Sequence, residues 1–128
     1  MRRRLATMLL PGVLALGGCG SQYADLEVRI EGAAPSGSVV RFDQVRMEEG
    51  VALRVHARPR SGTPQEFEDP DAVDLRAMDP EVLQAFRDAE DDWRWVLVAR
   101  GAGETCLEVI VEGVVEDCIP TTVTQVPL

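Results

Sequence analysis

Short stretches in which apolar and polar residues alternate constrain this chain more than any other feature of its sequence. The clearest covers residues 51–58, where Val51, Leu53, Val55 and Ala57 alternate with small or polar residues. A period of two is typical of a half-buried strand and not of a helix. The other stretches that predict strands are 26–30, 39–47, 73–77, 93–99, 105–111 and 114–123.

Glycine, proline and acidic residues separate these stretches. About eight short strands with such turns predict an all-β fold, a small antiparallel β-sandwich. Residues 59–71 contain three prolines and a glycine and are predicted to form a surface loop. Residues 79–90 are ambiguous. Leu83 and Phe86 fit a helical stripe after Asp79-Pro80, whereas a period of two places Val82, Gln84 and Phe86 on one face of a strand.

The first 19 residues have the order of an export signal. Three arginines, Arg2 to Arg4, precede an apolar run over 5–16, and Gly17, Gly18 and Cys19 follow. A run of about a dozen apolar residues is too short to span a hydrocarbon core of roughly 30 Å. Residues 16–19 resemble the lipobox of bacterial lipoproteins. The alternative is an ordinary secretory signal that is cleaved near residues 16–18.

The lipobox resemblance implies a diacylglycerol on the Cys19 sulfur and cleavage between Gly18 and Cys19. Residues 1–18 would then be the signal peptide, 19–25 a lipidated tether and 26–128 the folded domain. Each buried methylene contributes about 0.8 kcal/mol, so two or three acyl chains give stable anchoring. Gly20 stands where enterobacterial inner-membrane lipoproteins usually carry Asp, which implies the outer membrane as the location.

The charge of the mature chain excludes some partners. Removing Arg2, Arg3 and Arg4 lowers the 13 basic residues to 10 against 22 acidic residues, a net charge of −12. Nucleic acid would be repelled. An anionic lipid surface would also repel the domain, so the acyl chains must provide the anchoring.

Cys106 and Cys118 remain once Cys19 is assigned to the lipid. An even pair in an oxidising compartment predicts a disulfide. In the chain-entropy model, closing a loop of about a dozen residues contributes roughly 3 kcal/mol. No second cysteine or histidine lies at ligand spacing, so neither a metal site nor a cofactor is expected.

The second half of the chain resembles the bacterial immunoglobulin-like domains of surface proteins. In that family the Asp-Pro-x-Val stretch is extended, so the resemblance implies a strand over 82–86. It also implies that 26–128 form one immunoglobulin-like sandwich, although such domains usually lack this cysteine pair. The matching residues are Asp79-Pro80-Glu81-Val82, Gly101-Ala102-Gly103-Glu104-Thr105, Leu107, Val109, Gly113, Ile119-Pro120 and Val123.

A basic strip is the first candidate binding feature. Arg54, His56 and Arg58 share the polar face of the predicted strand at 51–58, and Arg60 follows them in the sequence to complete the strip. They could bind an anion such as a lipopolysaccharide phosphate, or they could simply pair with acids on neighbouring strands. His56 is the only histidine, and no nucleophile motif accompanies it, so an enzyme is not expected.

Two further clusters have alternative interpretations. Trp93 and Trp95 either fill the core or form an exposed platform for a sugar. The acidic residues of 88–92 lack the spacing of an EF-hand loop and are interpreted as a solvated turn, with calcium binding as the alternative.

These observations predict a monomeric envelope lipoprotein, anchored through Cys19, whose domain acts as a structural or protein-interaction module. The alternative is an envelope lipoprotein that binds a glycan or lipopolysaccharide through the arginine strip or the tryptophans.

Overall fold

The computed structural model describes residues 20–126, so the predicted signal peptide and Cys19 lie outside the described residues. The described part contains nine strands and one short 3-10 helix, Pro70–Ala72. The strands are β1 Tyr23–Ile30, β2 Val39–Arg41, β3 Gln44–Glu48, β4 Ala52–Ser61, β5 Val73–Ala77, β6 Leu83–Arg87, β7 Arg94–Ala99, β8 Gly103–Val111 and β9 Val114–Thr124.

The strands form two sheets that pack face to face as a sandwich. One sheet has the order β1-β4-β7-β6 and the other β2-β3-β9-β8-β5. All pairs are antiparallel except β3 with β9. Without β2 and β3, this is the strand order of an immunoglobulin constant-type sandwich, four strands against three. The predicted all-β immunoglobulin-like fold class is therefore confirmed.

The core lies between the sheets and is built from the apolar halves of the alternating strands. In the four-stranded sheet, Leu53 and Leu97 pair directly and are 2% and 0% exposed. Leu107 and Ile119 pair in the opposite sheet and are both 1% exposed. Alternation places one residue in two toward the facing sheet, which explains why the pattern was visible in the sequence.

β6 resolves the ambiguous segment in favour of a strand. Leu83 is fully buried and Phe86 is 50% exposed, so the odd-numbered positions face the core and the even-numbered ones face outward. The strand interpretation was right, but β6 begins at Leu83, and Val82 is 7% exposed and belongs to the core, so only Gln84 and Phe86 of the three share a face. That face is the outer one.

The predicted loop over 59–71 was wrong at its start. β4 continues through Pro59 to Ser61 and pairs with β1, where Leu26 lies opposite Pro59. The bond from the Ala57 N–H to the Trp93 carbonyl shows that the odd-numbered peptide groups of β4 face β7. β7 begins at Arg94, opposite His56, and does not extend to the level of Pro59, so the missing proline N–H removes no ladder hydrogen bond.

β1 begins at Tyr23, three residues earlier than predicted, and therefore includes part of the predicted tether. The Tyr23 hydroxyl donates to Asp117 Oδ2 at 2.9 Å and joins the start of β1 to β9 of the opposite sheet. Partial burial, followed by this hydrogen bond, raises the pKa of Tyr23 far above its ordinary value. The contact holds the first residue of β1 against the opposite sheet.

The Tyr23 contact predicts a loss of stability at alkaline pH. An unfolded tyrosine ionises near pH 10, whereas folded Tyr23 keeps its proton, so the free energy of unfolding should fall as pH rises above about 10. Tyr23 is the only tyrosine, so tyrosinate absorbance should appear only when the circular dichroism signal shows unfolding. Tyr23→Phe should remove this pH dependence and cost about 1 kcal/mol at neutral pH. Ionisation near pH 10 in a chain that is still folded would contradict the assignment.

Candidate functional site

The disulfide lies on the outer face of the five-stranded sheet. Cys106 and Cys118 are joined diagonally across β8 and β9, with 5.3 Å between their Cα atoms. This agrees with the predicted pairing. The bond holds the β8–β9 hairpin together and does not link the two sheets.

The arginine strip is brought together on β4 but is largely occupied by contacts within the protein. Arg58 donates to the Phe67 carbonyl through two nitrogens, the longer contact being 3.1 Å, and lies over the Trp93 ring at 4.9 Å. His56 Nε2 lies 4.0 Å from Glu27 Oε1. Within residues 20–126, Arg54 makes no ion pair. One free guanidinium is a weak basis for an anion site.

Arg60, the last residue of the strip, is also paired. Its Nε and Nη2 donate to the two carboxylate oxygens of Asp25 at 2.6 and 3.0 Å. This hydrogen bond raises the pKa of Arg60. The cross-strand pairing considered for the strip is therefore what the structure contains at this end of β4.

The two tryptophans do not form an exposed pair. Trp95 is 3% exposed and belongs to the core, and the Arg87 guanidinium lies 4.5 Å from its ring centroid. Trp93 is half-buried beneath Arg58. A sugar platform that needs two open rings does not exist in this arrangement.

The acidic turn after β6 is organised by its own backbone and by Arg94. Asp88 Oδ1 accepts from the Glu90 N–H at 2.8 Å, and Asp91 Oδ1 accepts from the Trp93 N–H at 3.0 Å. Their second oxygens lie 3.6 and 3.4 Å from Arg94 nitrogens. Across residues 20–126, no three His, Cys, Asp or Glu side chains are grouped to hold a metal ion.

The flank formed by β5 and β6 presents a different kind of surface. Each of these strands is an edge strand of its sheet, and a groove of about 310 Å³ runs between them. Pro80, Leu83, Ala85 and Phe86 are among the residues that line it. Sequence reasoning did not identify this flank, because adjacency in a sheet is not encoded locally.

The hydrogen bonds that bracket β6 show which of its peptide groups are open. The Arg100 N–H donates to the Val82 carbonyl at 2.8 Å, and the Asp88 N–H donates to the Arg94 carbonyl at 2.9 Å. Antiparallel ladders alternate, so the peptide groups of Gln84 and Phe86 bond to β7. The peptide groups of Ala85 and Arg87 point away from β7, toward the open edge of the sheet.

The edge of β5 is less open. The Val73 N–H donates to the Pro70 carbonyl, and the Val73 carbonyl accepts from Arg87 Nη2. The outer face of β5 also carries Asp74 and Arg76, and Arg76 is paired with Glu108 at 3.0 Å. Charges on an edge strand are a common protection against pairing.

β6 differs from the other edge strands of the described sandwich because its outer face carries no charged residue. The outer face of β1 carries Asp25, Glu27 and Arg29, that of β2 carries Arg41, and that of β5 is charged as well. The outer face of β6 consists of Gln84 and Phe86. Phe86 pairs with Val96 of β7, so the exposed ring extends an apolar surface. β6 is thus the least protected edge and the best candidate for a binding site.

Comparisons with known proteins give little beyond the fold. No protein family and no curated protein matches this sequence. The crystal structure of domains 4 and 5 of the S-layer protein SbsC is similar, with a TM-score of 0.44 and 12% sequence identity. The alignment covers 80% of this chain and 54% of that chain, so this chain spans about half its length. A similarity at this level does not define a function.

No helix in the described part of the chain is long and apolar enough to cross a membrane.

Proposed function

We propose that this protein is a lipid-anchored envelope lipoprotein whose domain binds another protein by strand addition at β6. The observation that carries the binding proposal is the edge of β6, which has open peptide groups and an uncharged outer face. Strand addition uses main-chain hydrogen bonds for affinity and side-chain pockets for specificity. The groove beside β6 and the 50% exposed Phe86 offer such a pocket.

The anchoring part of the proposal rests on residues 1–19. A lipid on Cys19 would hold the domain within a few residues of the membrane, because β1 begins at Tyr23. The outer membrane remains the proposed location. Binding of a glycan or lipopolysaccharide is the weaker alternative, since Arg58 and Arg60 are engaged within the protein and Trp95 is buried.

Photo-crosslinking from two matched positions tests the binding site. Phe86 on β6 and Phe42 beyond β2, at the opposite flank, are 50% and 46% exposed, so a benzophenone amino acid at either position should disturb the fold equally little. We expect irradiation of intact envelopes to yield a protein adduct from position 86 and little from position 42. Mass spectrometry should place the adduct in an extended segment of the partner. Equal yields from both positions would contradict a site at β6.

A further inference from the structure

We infer that the partner at β6 is a second copy of this chain, paired antiparallel through β6 with Phe86 opposite Phe86. This inference rests on the proposed function, since it names the occupant of the same edge. It departs from the monomer expected from the sequence. Self-pairing is supported by the open peptide groups of β6, by the side chains that meet in this register and by the charges that the pairing brings together.

Hydrogen bonding is satisfied by this register. With Phe86 at the two-fold axis, Ala85 of each copy lies opposite Arg87 of the other. These are the residues whose peptide groups point to the open edge, so each such pair exchanges two hydrogen bonds. Phe86 itself bonds to β7 and therefore forms the closer, non-hydrogen-bonded kind of pair, with about 4.5 Å between Cα atoms.

The side chains on the outer face fit the same register. The two Phe86 rings meet directly across the axis, and aromatic cross-strand pairs contribute favourably to sheet association. Centring the pairing on Ala85 would place Phe86 against Gln84, and centring it on Arg87 would place Phe86 against Asp88. Both shifts separate the rings and leave an aromatic side chain against a polar one.

Charge complementarity also favours a second copy. Arg100 donates to Gln84 Oε1 at 2.8 Å and makes no ion pair with any residue of 20–126. In the pairing, Gln84 lies opposite Asp88 of the second copy. The Arg100 guanidinium therefore approaches the acidic turn at 88–92 of that copy, and the reverse contact forms by symmetry. A closed two-fold contact of this kind is isologous and does not propagate into fibres.

Antiparallel pairing has a consequence for the orientation on a membrane. The two-fold axis is perpendicular to the sheet, so the strands of the two copies run in opposite directions. Gly20 of one copy and Gly20 of the other therefore lie at opposite ends of the paired domains. If both copies are anchored through Cys19 in one membrane, the joined domains lie along its surface and do not stand on it.

A two-component disulfide experiment tests the register. Full-length chains with Gln84→Cys and differently tagged chains with Asp88→Cys are coexpressed and oxidised in the envelope. We expect a disulfide-linked dimer in the mixture and not with either variant alone, because residue 84 of one copy faces 88 and not 84 of the other. Adding Phe86→Asp to both chains should abolish the bond, since two carboxylates would then meet. Phe42→Cys chains serve as the control for random collision.

The outcomes separate this inference from the proposed function. No linked dimer in the mixture, together with a photo-adduct from position 86 to a different protein, would overturn self-pairing and leave strand addition at β6 intact. A linked dimer from Gln84→Cys alone would overturn the register. Absence of both the dimer and the photo-adduct would overturn both proposals.

Discussion

Replacing Trp95 with alanine is expected to lower the free energy of unfolding by about 3–5 kcal/mol, the usual range for truncating a buried large aromatic residue. Trp95 is 3% exposed, pairs with Val55 across the four-stranded sheet, and supports the Arg87 guanidinium at 4.5 Å. Its removal leaves a cavity in the core and releases the arginine that joins β6 to Val73. Chemical denaturation followed by circular dichroism measures the loss.

Trp93→Ala is the matched control for this prediction. Trp93 is half-buried outside the strand, and its ring contact is with Arg58 at 4.9 Å. Losing a contact of this kind costs about 0.5–1 kcal/mol at exposed sites. Equal losses from the two variants would show that the tryptophans are equivalent, which contradicts the placement of one in the core and the other at the surface.

Removing the disulfide should cost about 3 kcal/mol, the chain-entropy value for a loop of this size. Cys106 and Cys118 are 12 residues apart and lie on the outer face of their sheet, so the double variant Cys106→Ala/Cys118→Ala opens no core cavity. The loss should therefore reflect the constraint on the unfolded chain. For a single small domain this is a large part of the total stability.

The measurement compares denaturation midpoints of the wild type and the double variant, each with and without reductant. Reductant should shift the wild type toward the variant and leave the variant unchanged. A wild type that releases no additional thiols on reduction in denaturant would show that the bond does not exist.

Much of the fold was predictable because alternation is a local property of the sequence. Leu53, Val55 and Ala57 each face the core because strand geometry requires it, and Leu107 and Val109 follow the same rule on β8. The boundaries were less predictable. Whether Pro59 ends a strand depends on whether a neighbouring strand needs its N–H, and that depends on where β7 begins.

The candidate site was not predictable because it also depends on which strands become neighbours in the fold. Whether Phe86 is buried or exposed depends on which face of β6 meets the other sheet, and whether that strand is an edge depends on the order of strands far apart in sequence. The arginine strip shows the opposite problem. Residues 54, 56 and 58 do share a face, as alternation predicts, but the partner of His56 comes from β1 and that of Arg58 from the loop that contains Phe67.

The central claim is that β6 is a binding edge, and the ratio of photo-adduct at position 86 to that at position 42 in intact envelopes tests it most directly. The two side chains are almost equally exposed, so collisions with neighbouring proteins should label them equally in the absence of a site. We predict a ratio well above one, which falls toward one when excess unlabelled protein competes. A ratio of one, or a ratio above one that competitor does not change, would contradict specific binding at β6.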